Sequence, residues 1–401
     1  MFKFAIKNLL TKKIQAILII ISIMISAGVA TLSYNISKQV NEQMVDNAQY
    51  YGVVIGPAGS KTQLIMNTMY FTDEVLGTIP YSLVDTLQRD TRVKAVVPYA
   101  MADSYHGYGI VGTNKFYLND KVVKGELFND SGDYTIVLGA NVAKTCGVSV
   151  GDAIYTSHSQ TEEHTTPFIV TGILEKTNSM YDNILFTSIK SIWAIHEEEE
   201  EHEHEEGEDH NHEHEFELDN MVCAILVQTQ NPIQATLIAQ DYNNKTVTID
   251  SIAYSLQAVE PMAVVRNILQ ENSQTEYIVY ALCAVILAMN LIVISIITIL
   301  NMYNSSKEIK LMRLIGISMN KINLVYLIEN SLLGIISCIL ALGISRIGLL
   351  IMTDYCLSMG ASLDVNRFYL IEFIILVGVF IISVIPTVIW TRIISKKDGL
   401  E

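Results

Sequence analysis

Charge is absent from two long stretches of this 401-residue chain, Ile14 to Ser37 and Tyr277 to Ser306. Each is longer than the roughly 20 apolar residues that cross a bilayer core, which excludes a wholly soluble protein. Ile322 to Ser345 is interrupted only by Glu329, and Tyr369 to Thr391 only by Glu372, so two further spans are predicted. Cysteine is scarce as well. Of five, Cys283 and Cys338 fall within spans and Cys356 in an outer loop, leaving Cys146 and Cys223 for the block between the first two spans. No spaced disulfide framework is visible; buried free thiols are expected, with one outer disulfide as the alternative. Basic residues are missing from Glu197 to Glu217, which holds 13 acidic ones, so the net charge of −16 falls to −3 for the remainder. A negative field confined to one loop argues against nucleic acid as a partner. HExxH is absent too, because the fourth position after each His-Glu pair is never histidine, and this speaks against a zinc protease. No serine or cysteine nucleophile with a base stands out either, and no enzymatic activity is expected of the chain itself.

Basic residues elsewhere fix the orientation. Lys3, Lys7, Lys12 and Lys13 precede the first span; Lys307, Lys310, Arg313 and Lys321 lie between the second and third; Arg392, Lys396 and Lys397 follow the fourth. Lys and Arg are retained on the cytoplasmic side, so all three segments face inward. The segments are then 1–37 (cytoplasmic start and first span), 38–276 (outside), 277–306 (second span), 307–321 (cytoplasmic), 322–345 (third span), 346–368 (outer loop), 369–391 (fourth span) and 392–401 (cytoplasmic tail). The uncharged part of the first span, 24 residues, exceeds the roughly 7 to 15 of a signal-peptide core, so retention is expected rather than cleavage.

The outer block of 239 residues begins and ends in helical composition: Lys38 to Ala48 continues the first span, and Pro261 opens a helix leading into the second. The two are predicted to form a stalk. Tyr51–Ile55, Tyr81–Asp90 and Val93–Met101 read as strand, helix and strand, and Met221–Thr229, Pro232–Tyr242 and Val247–Leu256 repeat that order. Two β-α-β halves are expected to pair. Between them, Phe116 to Thr187 has short strands punctuated by Gly125, Gly132, Gly139, Gly151 and Gly172, the pattern of an inserted, mainly β subdomain. The fold class is thus an α+β membrane protein: one N-terminal and three C-terminal transmembrane helices, a stalk, and a large extracytoplasmic α+β domain.

The cytoplasmic segment 307–321 is short and specific. Ser305 or Ser306 can cap a helix over Lys307 to Ile315, Gly316 suits the left-handed terminating position, and Ser318 can cap the third span. Such a helix, showing Lys307, Lys310 and Arg313, can receive force from a cytoplasmic partner. An ordinary positive-inside loop has the same composition, and physics alone does not choose between them.

Lys307-Glu308-Ile309-Lys310-Leu311-Met312-Arg313-Leu314-Ile315-Gly316, followed by Glu329, resembles the coupling segment and third span of FtsX-like, MacB-type ABC transporter permeases. Ala5 to Leu10, Pro386, Val137 to Ala143, Gly147 to Asp152 and Val170 to Leu174 resemble the same family in the right order. The resemblance implies a homodimer in the plasma or inner membrane, surrounded by lipid. It also implies a separate cytoplasmic ABC ATPase docked on the coupling helices, and spans that pass motion to the outer domains. Lys307, Glu308, Leu311, Arg313, Leu314 and Gly316 would carry the coupling. Glu329 lies seven residues into its span, where a carboxylate costs up to roughly 2.5 to 3.5 kcal/mol at the centre and less near an end. It is expected to be held by Lys321 or the coupling helix rather than to serve as an ion site.

Six of the nine histidines, His196, His202, His204, His210, His212 and His214, fall within a single stretch of 19 residues that overlaps the acidic run. Imidazole and carboxylate together suit zinc and similar ions, so loose metal binding outside the membrane is expected, against the alternative of a solvated acidic loop. His158, His164 and His196 are a second candidate set, completed by Glu162, Glu163 or Asp182; otherwise they are surface histidines. Gly59 to Leu64, Asp103-Ser104-Tyr105 and Ser191 to His196 resemble a subgroup of these permeases associated with zinc-responsive gene sets. Two nucleotide motifs are decoys. Gly56 to Thr62 imitates a phosphate loop but has Ser60 where glycine is required and lies outside, and Gly107, Gly109 and Gly112 are not followed by a helical pattern. The expected function is the permease subunit of an ABC system, linked to zinc, with no nucleotide bound by this chain and an outer lipoprotein or metal-binding protein as a further partner. A membrane-anchored metal sensor without transport is the alternative, and a metallohydrolase is a third class.

Overall fold

The computed structural model describes residues 2–118, 121, 123–157, 164–196, 220–249, 252–305, 311–358 and 360–397. The chain forms two compact units: Met1–Gln39, Glu271–Thr353 and Leu363–Glu401 in one, Val40–Gln270 and Asp354–Ser362 in the other.

The first unit is helical. Phe2–Thr11 is followed, after a break at Lys12, by Lys13–Tyr50, the first of four helices long and apolar enough to cross a membrane. The second is Pro261–Asn304, the third Met319–Ser358 and the fourth Leu370–Lys397. Only 22–33% of each apolar window is buried within the chain, so most of that surface is left for lipid. The second helix has 44 residues, about 66 Å at 1.5 Å per residue, more than twice the hydrocarbon thickness of roughly 30 Å. Segment 346–368 is not all loop: the third helix runs through Arg346 to Ser358. Arg346 marks the end of the span by composition, but its guanidinium is paired with the buried Glu372 carboxylate, so the charge does not stop the helix.

Small and polar side chains join these helices. A Cβ on Gly348 would meet Leu32 Cδ2 at 2.6 Å and one on Gly28 would meet Ile344 Cγ2 at 3.2 Å, the close approach that glycine permits between membrane helices. Asn290 Nδ2 donates to the Ser22 carbonyl at 2.8 Å, and Asn330 bonds Thr387 beside Pro386. Ile19, Ile23, Ile294, Leu333 and Leu376 fill the space between.

The second unit is built on an eleven-stranded sheet. Its N-terminal strands are β1 (Val53–Pro57), β3 (Val93–Tyr105) and β4 (Tyr108–Thr113), with the two-residue β2 (Ile79–Pro80) lying apart from them. Next come β5 (Val123–Gly125), β6 (Thr135–Leu138), β7 (Ala153–Ile154), β8 (Phe168–Leu174) and β9 (Leu185–Ser188). The last are β10 (Met221–Val222), which pairs β2, then β11 (Ala224–Thr229), β12 (Thr246–Ile249) and β13 (Ile252–Val259). The order is β12-β13-β1-β11-β3-β4-β9-β6-β8-β5, with β7 on β8. The two β-α-β halves do pair, because β11 lies between β1 and β3 with antiparallel register Val53 to Val227 and Val97 to Leu226. Val247–Leu256, read as one strand, is instead split between the hairpin strands β12 and β13. The inserted strands β5 to β9 have their own core of Ile136, Leu138, Phe168 and Ile195, yet they extend the same sheet through the parallel β4–β9 pair.

Local signals account for the helices on this sheet. Asn231 caps Pro232–Tyr242 by accepting from Gln234 N–H at 3.0 Å, with proline in the first turn. Ser60 caps Lys61–Tyr70 in the same way, and Phe71, at φ 53°, ends it. A bulky residue there is strained, and its ring is held between Tyr99, Tyr181 and Phe186. Phe186 also stacks on Tyr181 at 5.7 Å and is fully buried, so Phe186→Ala is expected to cost the outer domain about 3–5 kcal/mol, read as a lower thermal midpoint for its unfolding. All five cysteines are free, and burial pushes the Cys223 thiol up to about 11.

Candidate functional site

Two regions carry the candidate residues, one in each unit. In the helical unit, residues 311–314 form a helical turn that ends in a Schellman closure. Gly316 lies at φ 88°, its N–H bonds the Arg313 carbonyl at 2.9 Å, and Ile317 N–H bonds the Met312 carbonyl at 3.0 Å. The apolar contact that accompanies this motif is present, since Met312 and Ile317 pack on Ile322 and Tyr326. The third spanning helix then restarts at Met319, with Lys321 N–H on the Ser318 carbonyl at 2.9 Å. One face of the turn is therefore anchored, while Leu311, Leu314 and Ile315 are exposed, the last two by 84% and 79%. Lys307 and Glu308 lie outside the described residues.

Glu329 is buried, and its Oε1 accepts from Asn8 Nδ2 at 2.7 Å. One partner is thus the N-terminal helix, a contact that local sequence around Lys321 could not reveal. Lys12 Nζ donates to Ser305 Oγ at 2.6 Å and stands 5.9 Å from the Tyr326 ring centre. Asn8 and Lys12 were missed as site residues because their partners lie some 300 positions away (|i−j| 321 and 293).

In the sheet unit, His158, Glu162, Glu163, His202, His204, His210, His212 and His214 lie outside the described residues. The Asp182 carboxylate is engaged in closing a turn: it accepts from Thr177 N–H at 2.8 Å, Thr177 Oγ1 at 2.8 Å and Asn178 N–H at 2.9 Å. His164 and His196 do meet, with ring centres 5.7 Å apart at 89°. Between them stands Asp103, whose Oδ1 is 3.4 Å from His164 Nε2 and 3.7 Å from His196 Nε2. Asp103 sits where β3 slips register against β4 between Met101 and Ser104, a bulge that re-aims its side chain into the interior, where it is 3% exposed. Ser104 and Ser157 exchange backbone bonds at 2.9 Å, and His164 N–H bonds the Thr156 carbonyl at 2.8 Å, which fixes His164 beside the bulge. Residues 189–196, which include His196, are helical, and Ile192 and Ile195 hold this stretch to the inserted core. Among the described residues no group of three or more His, Cys, Asp or Glu side chains is placed to hold a metal ion.

Gly56 to Thr62 does join a strand to a helix, but Ser60 is that helix's cap, and Gly107 and Gly109 belong to the β3–β4 hairpin.

Residues 15–245 match the family of MacB-like periplasmic core domains, and residues 278–398 match the FtsX-like permease C-terminal family. Among solved structures, the chain is similar to the extracellular domain of the noncanonic ABC-type transporter YknZ from Gram-positive bacteria. The identity is 17%, the match covers 47% of this chain and 88% of that one, and the TM-score is 0.28. A domain described as part of a permease protein from Porphyromonas gingivalis is similar at 10% identity, covering 51% of this chain and 86% of that one, with a TM-score of 0.28. No curated protein matches. With both of its halves matched in order and four helices able to span, the chain belongs to the MacB-like, FtsX-like ABC transporter permeases and is a multi-pass membrane protein with a large extracytoplasmic domain.

Proposed function

We propose that this permease receives work from a separate cytoplasmic ATPase docked on Leu311, Leu314 and Ile315 and passes it to the extracytoplasmic domain, with two copies acting as a homodimer. The observation that carries this reading is the pair of faces on the coupling turn. Met312 and Ile317 fix one face to the third spanning helix, while three large apolar side chains stand exposed beside Arg313 on the other. A loop needed only for its positive charge has no use for them; a transmitter needs an apolar anchor for its motor and a rigid link to the membrane. The Asn8–Glu329 bond ties the third spanning helix to the N-terminal helix, and Lys12 bonds Ser305 just past the end of the second spanning helix.

Zinc is the ion proposed for the outer domain, collected by the histidines and carboxylates of 196–217. The motion then serves zinc-linked transport, or reaches an outer lipoprotein or metal-binding partner by mechanical transmission. Purification of the tagged full-length chain from native membranes in mild detergent is expected to bring down a cytoplasmic ABC ATPase and to retain zinc. Zinc without an ATPase would leave an anchored metal sensor and overturn the coupling; an ATPase without zinc would overturn the metal role alone.

A further inference from the structure

We infer that the break between the N-terminal helix and the first spanning helix is a binding site for one anionic phospholipid of the cytoplasmic leaflet. The inference is independent of the ATPase and zinc readings. A cavity of about 480 Å³ opens at this break, and its lining includes Leu10, Lys12, Lys13, Ile14 and Asn304. Position decides which ligands reach it. Lys12 and Lys13 stand at the start of the first spanning helix and Asn304 ends the second, and the Lys12–Ser305 bond holds those two ends together at one face of the membrane. The lysines before the span put that face on the cytoplasmic side, at the depth where headgroups give way to acyl chains. The ligand that fits this depth is amphipathic, with a polar head at the lysines and an apolar body along the helices.

Charge selects the head. Met1 to Asn41 carry lysine at positions 3, 7, 12, 13 and 38 and no aspartate or glutamate. Lys12 is already bonded to Ser305 Oγ, so the assignment leans on Lys13 and Asn304, both exposed. An ammonium and an amide N–H₂ at one cavity supply donors for the oxygens of a phosphodiester, and basic pockets between spanning helices on the cytoplasmic side suit anionic headgroups. Shape selects the body. Ile14, 77% exposed, begins a row that continues through Ile17, Ile21 and Ile25 at helical spacing, a ridge against which an acyl chain can lie. Phe2, Ile6 and Leu10, also exposed, recur every fourth residue along the N-terminal helix, with Lys7 exposed on the same helix. That is the pattern of a helix seated in the headgroup boundary. Leu10 from one row and Ile14 from the other both line the cavity, so the two apolar rows converge where the cations stand.

Native mass spectrometry of the full-length protein released from nanodiscs of mixed phosphatidylglycerol and phosphatidylcholine tests this. Phosphatidylglycerol is expected to be retained over phosphatidylcholine. Each lysine beside an anionic headgroup is worth about fivefold in affinity, so Lys13→Glu, which removes one positive charge and adds a negative one, is expected to cut that retention at least about tenfold. Lys321→Glu makes the same change in net charge at an exposed residue outside the cavity and is expected to leave retention nearly unchanged. Asn304→Ala, which alters no charge, is expected to weaken retention as well. Lys13, Asn304 and Lys321 are all exposed, so thermal unfolding of the lipid-free variants in detergent should match that of the unsubstituted protein and separate ligand loss from misfolding. Equal retention of the two lipids, or equal loss in the Lys13 and Lys321 variants, would overturn the site. Displacement of phosphatidylglycerol by soluble glycerol phosphate would show that the cavity takes a phosphate group alone and would overturn the lipid assignment.

Discussion

Leu314→Asp is expected to abolish stimulation of the partner ATPase in proteoliposomes and to lose that ATPase on copurification, with the outer domain's near-ultraviolet circular dichroism unchanged. Leu314 is 84% exposed and contributes nothing to the cluster of Met312, Ile317, Ile322 and Tyr326, so a charge there leaves the turn folded. Its effect falls on the partner, where burying an unpaired carboxylate in an apolar contact removes a central anchor. Such anchors are worth about 2–4 kcal/mol each, which corresponds to roughly 30- to 1,000-fold in affinity. Met312→Asp makes the contrast, because it strikes the anchored face and is expected to destabilise the turn itself. Unaltered ATPase stimulation in the Leu314 variant would mean that the exposed face is not where the motor sits.

Arg346→Met is expected to destabilise the helical unit by about 3–5 kcal/mol, since it leaves the Glu372 carboxylate buried without its cation. The same carboxylate accepts from Asn35 Nδ2 at 2.5 Å, and Arg346 Nη1 also holds the Arg367 carbonyl at 3.0 Å. The pair therefore ties the first, third and fourth spanning helices to one another and to the Arg367 backbone. Gln39 makes a second tie, donating to the Asp364 carbonyl at 3.0 Å and accepting from Asp364 N–H at 2.7 Å. Combining Arg346→Met with Glu372→Gln removes both charges together and is expected to recover most of the loss, as judged by thermal unfolding in detergent. A double variant no more stable than the single one would show that the pair's worth lies in its hydrogen bonds rather than in charge compensation.

These two sites differ in how far sequence revealed them. Leu314 and Gly316 are close together in the chain, and the closure they take part in is made of neighbouring residues, so glycine at the end of a short basic, apolar segment was enough to place it. Arg346 misled for the opposite reason. A charge after an apolar run looks like the end of a span, and its neutralising partner lies 26 residues on, in another helix. The strands of the two paired halves were legible because Val53 to Ile55 and Ala224 to Val227 are continuous apolar runs buried in the sheet. The β3 bulge was not, since no local pattern announces a slip in register. Asp103 stood in a quoted motif, and its neighbours His164 and His196 come beside it only when the chain folds. Asp182 was offered as a ligand on composition and turned out to close a turn of its own.

The central claim is that hydrolysis on the cytoplasmic side alters the domain on the other. In right-side-out vesicles carrying the permease and its ATPase, the rate at which an external protease cuts 38–276 can be followed as ATP is supplied inside. A rate that changes under turnover, returns with a non-hydrolysable analogue and no longer responds in Leu314→Asp is the predicted result. A block protected from external protease, or one cut at the same rate with and without turnover, would contradict the account.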